Sequence, residues 1–283
     1  MRSTLTFSRR HLHRGFVLIT VLWVGLGLLL AASSYLVTQR QTALATRAEV
    51  ETTRAVALAR TAVNVALADL GRVGEDEPRS PRDGTAIMLS MAEGQATYRI
   101  WDEGGKLDIN TAPVELLGPT LQQLGEGTGI DAFDAVTIAQ ALVTRRADAG
   151  VQNINRPIPQ LLSDLGFPQE VSRRARQVLT TYNGTAQINP ATASPALLAA
   201  IPGLGPSDVA SIVSRRSAGQ PLPRLGTASV WLSGTEGPVY TIEARGTLQS
   251  GVSVDVIATV AMQGVSFRGG IMRYEVLGME ILR

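Results

Sequence analysis

Three acids fall within seven residues of one another, Asp102, Glu103 and Asp108, around the glycine pair Gly104-Gly105. Clustered carboxylates are the raw material of calcium sites, but this spacing does not follow the alternating oxygen donors of an EF-hand loop. The glycines already account for a tight turn, so the cluster reads first as structure and no ligand set is assigned. Other chemistry is thinner still. The chain has no cysteine, which removes disulfides, thiolate metal sites and a cysteine nucleophile together. Its two histidines, His11 and His13, both precede a long apolar run. If that leader is removed, no imidazole is left to act as general base or metal ligand. A carboxylate or serine enzyme has no constellation behind it, and the expectation is a protein without catalytic residues.

A second motif could touch phosphate. The stretch 198–210, LAAIPGLGPSDVA, reads as helix, Pro-Gly-Leu-Gly hairpin and helix. In nucleic-acid-binding versions the glycines bring backbone N–H groups close to a phosphate. The same hairpin also joins two packed helices economically, with Leu204 filling the gap between them. Residues 111–226 hold nine arginines and eight acids, a net of +1. Phosphate binding calls for a clearer basic excess, which argues against nucleic acid. The pI near 9.3 does not change this. Without Arg2, Arg9, Arg10 and Arg14, 22 basic side chains face 24 acidic ones.

The elements that position these motifs begin with a membrane-length helix. Residues 16–36 are 21 consecutive uncharged residues, long enough to span about 30 Å of hydrocarbon. Arginines precede the run and the first acid is Glu49, so the start is expected in the cytoplasm and the rest across the membrane. A cleaved secretory signal is the competing reading, with Ala31-Ala32-Ser33 as its cleavage site, although the run exceeds the usual apolar core of about 7–15 residues. From Leu28 to Leu70 there is no glycine or proline, which predicts one rod from residue 16 to 70, roughly 80 Å long. Leu44, Ala48, Glu51, Ala55, Leu58, Ala62, Val65 and Ala66 mark its expected packing stripe.

Residues 71–84 read as a polar loop and 95–103 as a strand. An internal repeat follows, pairing Ile109-Asn110 with Ile188-Asn189 and Arg145-Arg146 with Arg215-Arg216. In each copy Asn or Thr is expected to cap a helix that proline opens. Residues 239–246 and 252–261 alternate as a hairpin, and 272–282 adds a further strand. The expected class is α+β, a long N-terminal helix on a small antiparallel sheet with an all-helical insert containing a helix-hairpin-helix-like unit. The division is 1–15 leader, 16–36 transmembrane helix, 37–70 distal helix, 71–108 with 227–283 as the sheet domain, and 109–226 as the insert.

Arg14-Gly15-Phe16 followed by an apolar helix resembles the type IV pilin and pseudopilin signal. The resemblance implies cleavage after Gly15 by a prepilin peptidase and methylation of the new N-terminus, Phe16. Most members have glutamate as the fifth mature residue, whereas this chain has Thr20. The minor pseudopilin K subclass of type II secretion systems lacks that glutamate, and Val21-Leu22-Trp23-Val24, the WDEGGKLDINTAP stretch and the Pro-Gly-Leu-Gly hairpin are similar to it. A carboxylate in hydrocarbon needs a positive partner, so a subunit without one suits a filament tip. The resemblance implies a single-pass inner-membrane protein with a periplasmic C-terminal domain, at the tip of a pseudopilus that exports folded proteins. Its implied partners are other minor pseudopilins, the major pseudopilin, the peptidase and the inner membrane, and contact with exported proteins stays open. It admits calcium as a cofactor without assigning ligands. The alternative is a membrane-anchored DNA receptor of the competence type, gripping phosphate through the hairpin.

Overall fold

A computed structural model describes residues 12–72, 79–129, 131–148, 157–265 and 272–282. Arg2, Arg9, Arg10 and His11 of the leader, and 73–78 of the polar loop, lie outside the described residues. The chain divides into two units, Met1–Arg54 and Ala55–Arg283. In the first, helix α1 (Leu12–Leu70) begins, and its side chains from Phe16 onward are almost all exposed. Its hydroxyls are satisfied along the helix itself, as in Ser33 to Leu29 O at 2.8 Å and Thr38 to Ser34 O at 3.0 Å.

The second unit opens with the rest of α1, which ends where Gly71 N bonds Leu67 O. Ala55, Ala59, Ala62 and Ala66 recur at helical spacing with no exposed surface. Leu58, Val63, Leu67 and Leu70 flank them. The expected stripe needs correction at three positions, because Ala48 is exposed, Leu44 is 61% exposed and Val65 38%. The alanines fix the centre of the face, and Val65 lies roughly 100° away from it on a 3.6-residue turn.

That face lies on a sheet ordered β1-β2-β5-β6-β7, antiparallel throughout. Its strands are β1 (Ile87–Met91), β2 (Gly94–Asp102), β5 (Val239–Leu248), β6 (Ser253–Val265) and β7 (Met272–Leu282). Ala96, Tyr98 and Ile100 of β2, Tyr240, Ile242 and Ala244 of β5, and Val256, Ala258 and Val260 of β6 form the core with α1. At Gly246 the helix backbone reaches the strand, since a Cβ there would sit 2.3 Å from Ala55 O. Strand β1 has no counterpart in the sequence reading. Glu103, expected in β2, instead begins a 3-10 turn, Glu103–Gly105.

Among the described residues, the helices after α1 lie between β2 and β5, which are neighbours in the sheet. They are α2 (Val114–Gly125), α3 (Ala132–Asp148), α4 (Ile158–Asp164), α5 (Gln169–Val178), α6 (Pro195–Ala200) and α7 (Pro206–Ser217). The short strands β3 (Leu107–Asp108) and β4 (Leu179–Thr180) pair in parallel beside them. One apolar cluster holds the segment together, running from Leu107 and Leu117 through Val171 and Leu198 to Ala228.

The two copies of the repeat fold alike. Asp108 accepts from Asn110 N at 2.7 Å, and its carbonyl receives Ala112 N at 2.8 Å. Asn189 repeats this with Ala191 N at 3.1 Å and Ala193 N at 2.9 Å. Both are Asx-turns, in which a side chain stands in for a backbone acceptor. Each copy then returns to pair in parallel, Leu107 with Leu179 and Ile188 with Leu232. The equivalence is therefore Asp108 to Asn189, two residues away from the Ile-Asn match, because the acceptor that starts the turn sets the register. Helix capping also departs from expectation. Pro113 precedes α2 without a side-chain cap, and Ser194, not Asn or Thr, caps α6 by accepting from Leu197 N.

Candidate functional site

The helix that opens the chain carries the longest exposed apolar surface. Residues 16–36 of this helix carry no charged side chain, and an 18-residue stretch of it reaches a mean hydropathy of 2.4 with none of that stretch buried. It is long and apolar enough to cross a membrane by length and composition. Thr20 adds no unsatisfied polar group to it. Its Oγ1 donates to Phe16 O at 2.6 Å, so the hydroxyl is paired within its own helix. A carboxylate at that position has no such local donor.

The second feature lies at the root of the helical segment, where residues 101–109 are buried without interruption. Asp102 ends β2 with 2% exposure. Its Oδ1 accepts from Gly104 N at 2.8 Å and Gly237 N at 3.0 Å. Its Oδ2 accepts from Asn189 Nδ2 at 3.1 Å and Thr192 Oγ1 at 2.9 Å. One carboxylate thus ties the chain's exit from the sheet, the start of the second repeat and the return towards β5. Burial pushes the Asp102 carboxyl above its ordinary range, while these four donors pull it back. The glycines are required by proximity. A Cβ on Gly105 would lie 2.5 Å from Thr192 Oγ1, and one on Gly104 2.7 Å from Gly237 N.

Beside it Glu103 and Lys106 form a buried ion pair at 2.5 Å, and Thr180 Oγ1 donates to the second Glu103 oxygen at 2.5 Å. The ammonium lies 5.9 Å from the Trp101 ring centre. Asp108 accepts from Gly184 N at 2.6 Å with its free oxygen. Burial raises its carboxyl, with backbone donors and Arg146 acting the other way. Arg146, whose guanidinium burial lowers, donates to Ile109 O at 2.6 Å and Ala112 O at 2.8 Å. In the second copy Arg216 donates to Ala193 O at 2.5 Å. Each repeat closes its Asx-turn with an arginine from its second helix. The sequence signal was the recurring Arg-Arg pair, whose partner could not be read from spacing.

Asp102, Glu103 and Asp108 do not fit calcium. Their oxygens are taken by protein N–H and O–H donors, and the Lys106 ammonium sits against Glu103. Among the described residues no three His, Cys, Asp or Glu side chains are grouped to hold a metal.

The hairpin joining α6 to α7 turns at Gly203, φ +89°, with Leu204 half-buried against the helical core. A Cβ on Gly203 would meet Thr227 Oγ1 at 2.9 Å, so its bareness serves packing. The Gly205 N–H, which would face a phosphate, donates to Asp208 Oδ2 at 2.9 Å. A carboxylate already occupies the anion position at the start of α7.

The arrangement is a pilin-like α+β fold, a long helix on an antiparallel sheet interrupted by helices between adjacent strands. No protein-family model matches the chain, and no curated protein matches it in sequence. Among solved structures, a chain of the GspK-GspI-GspJ complex from the type 2 secretion system of enterotoxigenic Escherichia coli matches with a TM-score of 0.53. Identity is 16%, over 84% of this chain and 99% of that one. The two chains share a fold.

Proposed function

We propose that this protein is a minor pseudopilin of a type II secretion system, a structural subunit without catalytic activity. A prepilin peptidase cuts it after Gly15 and methylates Phe16. Residues 16–36 then anchor it in the inner membrane, with the bulk of the chain in the periplasm. Its partners are other minor pseudopilins and the major pseudopilin.

The observation that carries this reading is the fold match, which extends over nearly all of a chain from a secretion pseudopilin complex. Two features support a place at the filament tip. Thr20 satisfies its own hydroxyl and offers no charge to a neighbouring N-terminus. The helices inserted between β2 and β5 add bulk that a stacking subunit would have to pass. At the tip, the subunit ends an assembly that moves folded proteins across the outer membrane.

Sequencing the N-terminus of full-length protein made with its matching peptidase tests the processing step. Phe16, methylated, is expected. A start near Ser33 would point to ordinary secretion and remove the anchor on which the reading depends.

A further inference from the structure

Helix α1 covers only part of the sheet. Outer strands of a five-stranded sheet lie about 19 Å apart, and one helix is about 10 Å across. The α1-facing side chains of β2, β5 and β6 are buried, but those of β7 are not. Tyr274, Val276, Met279 and Ile281 pair with Met262, Val260, Ala258 and Val256, which puts them on the same face as that core. They are 50%, 46%, 49% and 37% exposed. A cavity of about 400 Å³ runs between this strand and α1, lined by Asn64, Leu67, Ala68, Met262 and Tyr274. One helical turn before Asn64, on the same rim, stands exposed Arg60. Among the described residues Arg60 makes no ion pair or hydrogen bond.

We propose that this groove receives an α-helix from another pilin-like subunit, laid beside α1 on β7. The helix carries an apolar stripe for Tyr274, Val276, Met279 and Ile281, and a carboxylate that pairs with Arg60. The exposed β7 side chains form an apolar strip running alongside α1, the seat of a helix, and the unpaired Arg60 on its rim among the described residues sets the sign of the partner's charge. The proposal rests on the reading of the chain as an assembly subunit, and names the surface and the chemistry of its partner.

The absence of cysteine makes the test direct. Full-length protein carrying Ala68→Cys or Tyr274→Cys is expressed with candidate minor pseudopilins bearing single cysteines along their helices. Cross-links recurring every three to four partner residues are expected. Arg60→Glu should weaken co-purification about tenfold, and a partner Glu→Arg exchange should restore it. Met279→Glu should weaken it at least as much, with circular dichroism unchanged. If the complex forms while both cysteines stay unlinked and Arg60→Glu has no effect, the groove is not the interface, although the assembly reading stands. Links between two copies of this chain, or to a partner strand, would also overturn the groove's assignment. Failure to co-purify with any pseudopilin would instead remove the assembly reading itself.

Discussion

The amide of Gly237 donates to Asp102 Oδ1 at 3.0 Å across 135 positions of sequence. The helical segment between them is thus closed at its base by one buried carboxylate, and the closure has measurable consequences.

Replacing Asp102 by alanine leaves four donors without their acceptor, two of them backbone amides. A loss of about 3–5 kcal/mol is expected in urea unfolding. Asp102→Asn keeps one acceptor oxygen and should cost about half as much.

The same carboxyl gives a pH signature. Its folded pKa lies above its unfolded value, so the folded state holds the proton more tightly. Its contribution is full below the unfolded pKa and is lost as pH rises through the folded one. The stability gap between wild type and Asp102→Asn should therefore be widest below the ordinary carboxylate range and shrink as pH rises towards neutral. Urea midpoints measured along that range check the sign.

Gly246 tests the seat of α1. A methyl group there would stand 2.3 Å from Ala55 O, against backbone that cannot swing aside. Gly246→Ala should cost about 2–4 kcal/mol. The same change at Gly234, where nothing lies within 4 Å, should cost little. Thermal midpoints of the two variants decide the point.

Arg146 and Arg216 serve equivalent turns in separate copies. Arg146→Ala loses two carbonyl partners and the attraction of Asp108, and should cost about 2–3 kcal/mol. Arg216→Ala loses the bond to Ala193 O and should cost about 1–2 kcal/mol. Because the sites share no partner, the double variant should be additive within about 0.5 kcal/mol in denaturant titrations.

Much of this architecture was legible because it is periodic. Strands β2, β5, β6 and β7 alternate, and α1 lacks helix breakers over its distal part. Strand β1 escaped because its half-buried side, Ile87, Leu89 and Met91, lies against a strongly exposed Met88, which blurs the alternation. The repeat was visible, but its register depended on which side chain starts the Asx-turn, and Ile-Asn matched the wrong pair. The network at Asp102 was illegible for a different reason. Its donors come from Gly104, Asn189, Thr192 and Gly237, and contacts over such separations leave no local spacing. Acids beside two glycines look the same whether they bind a metal or hold a segment in place.

Two facts about Thr20 and the inserted helices carry the proposal that this subunit ends a filament. Immunogold labelling of assembled pseudopili against residues 157–265 measures that directly. The account predicts label at a single end of each filament. Label spaced along the shafts would contradict it.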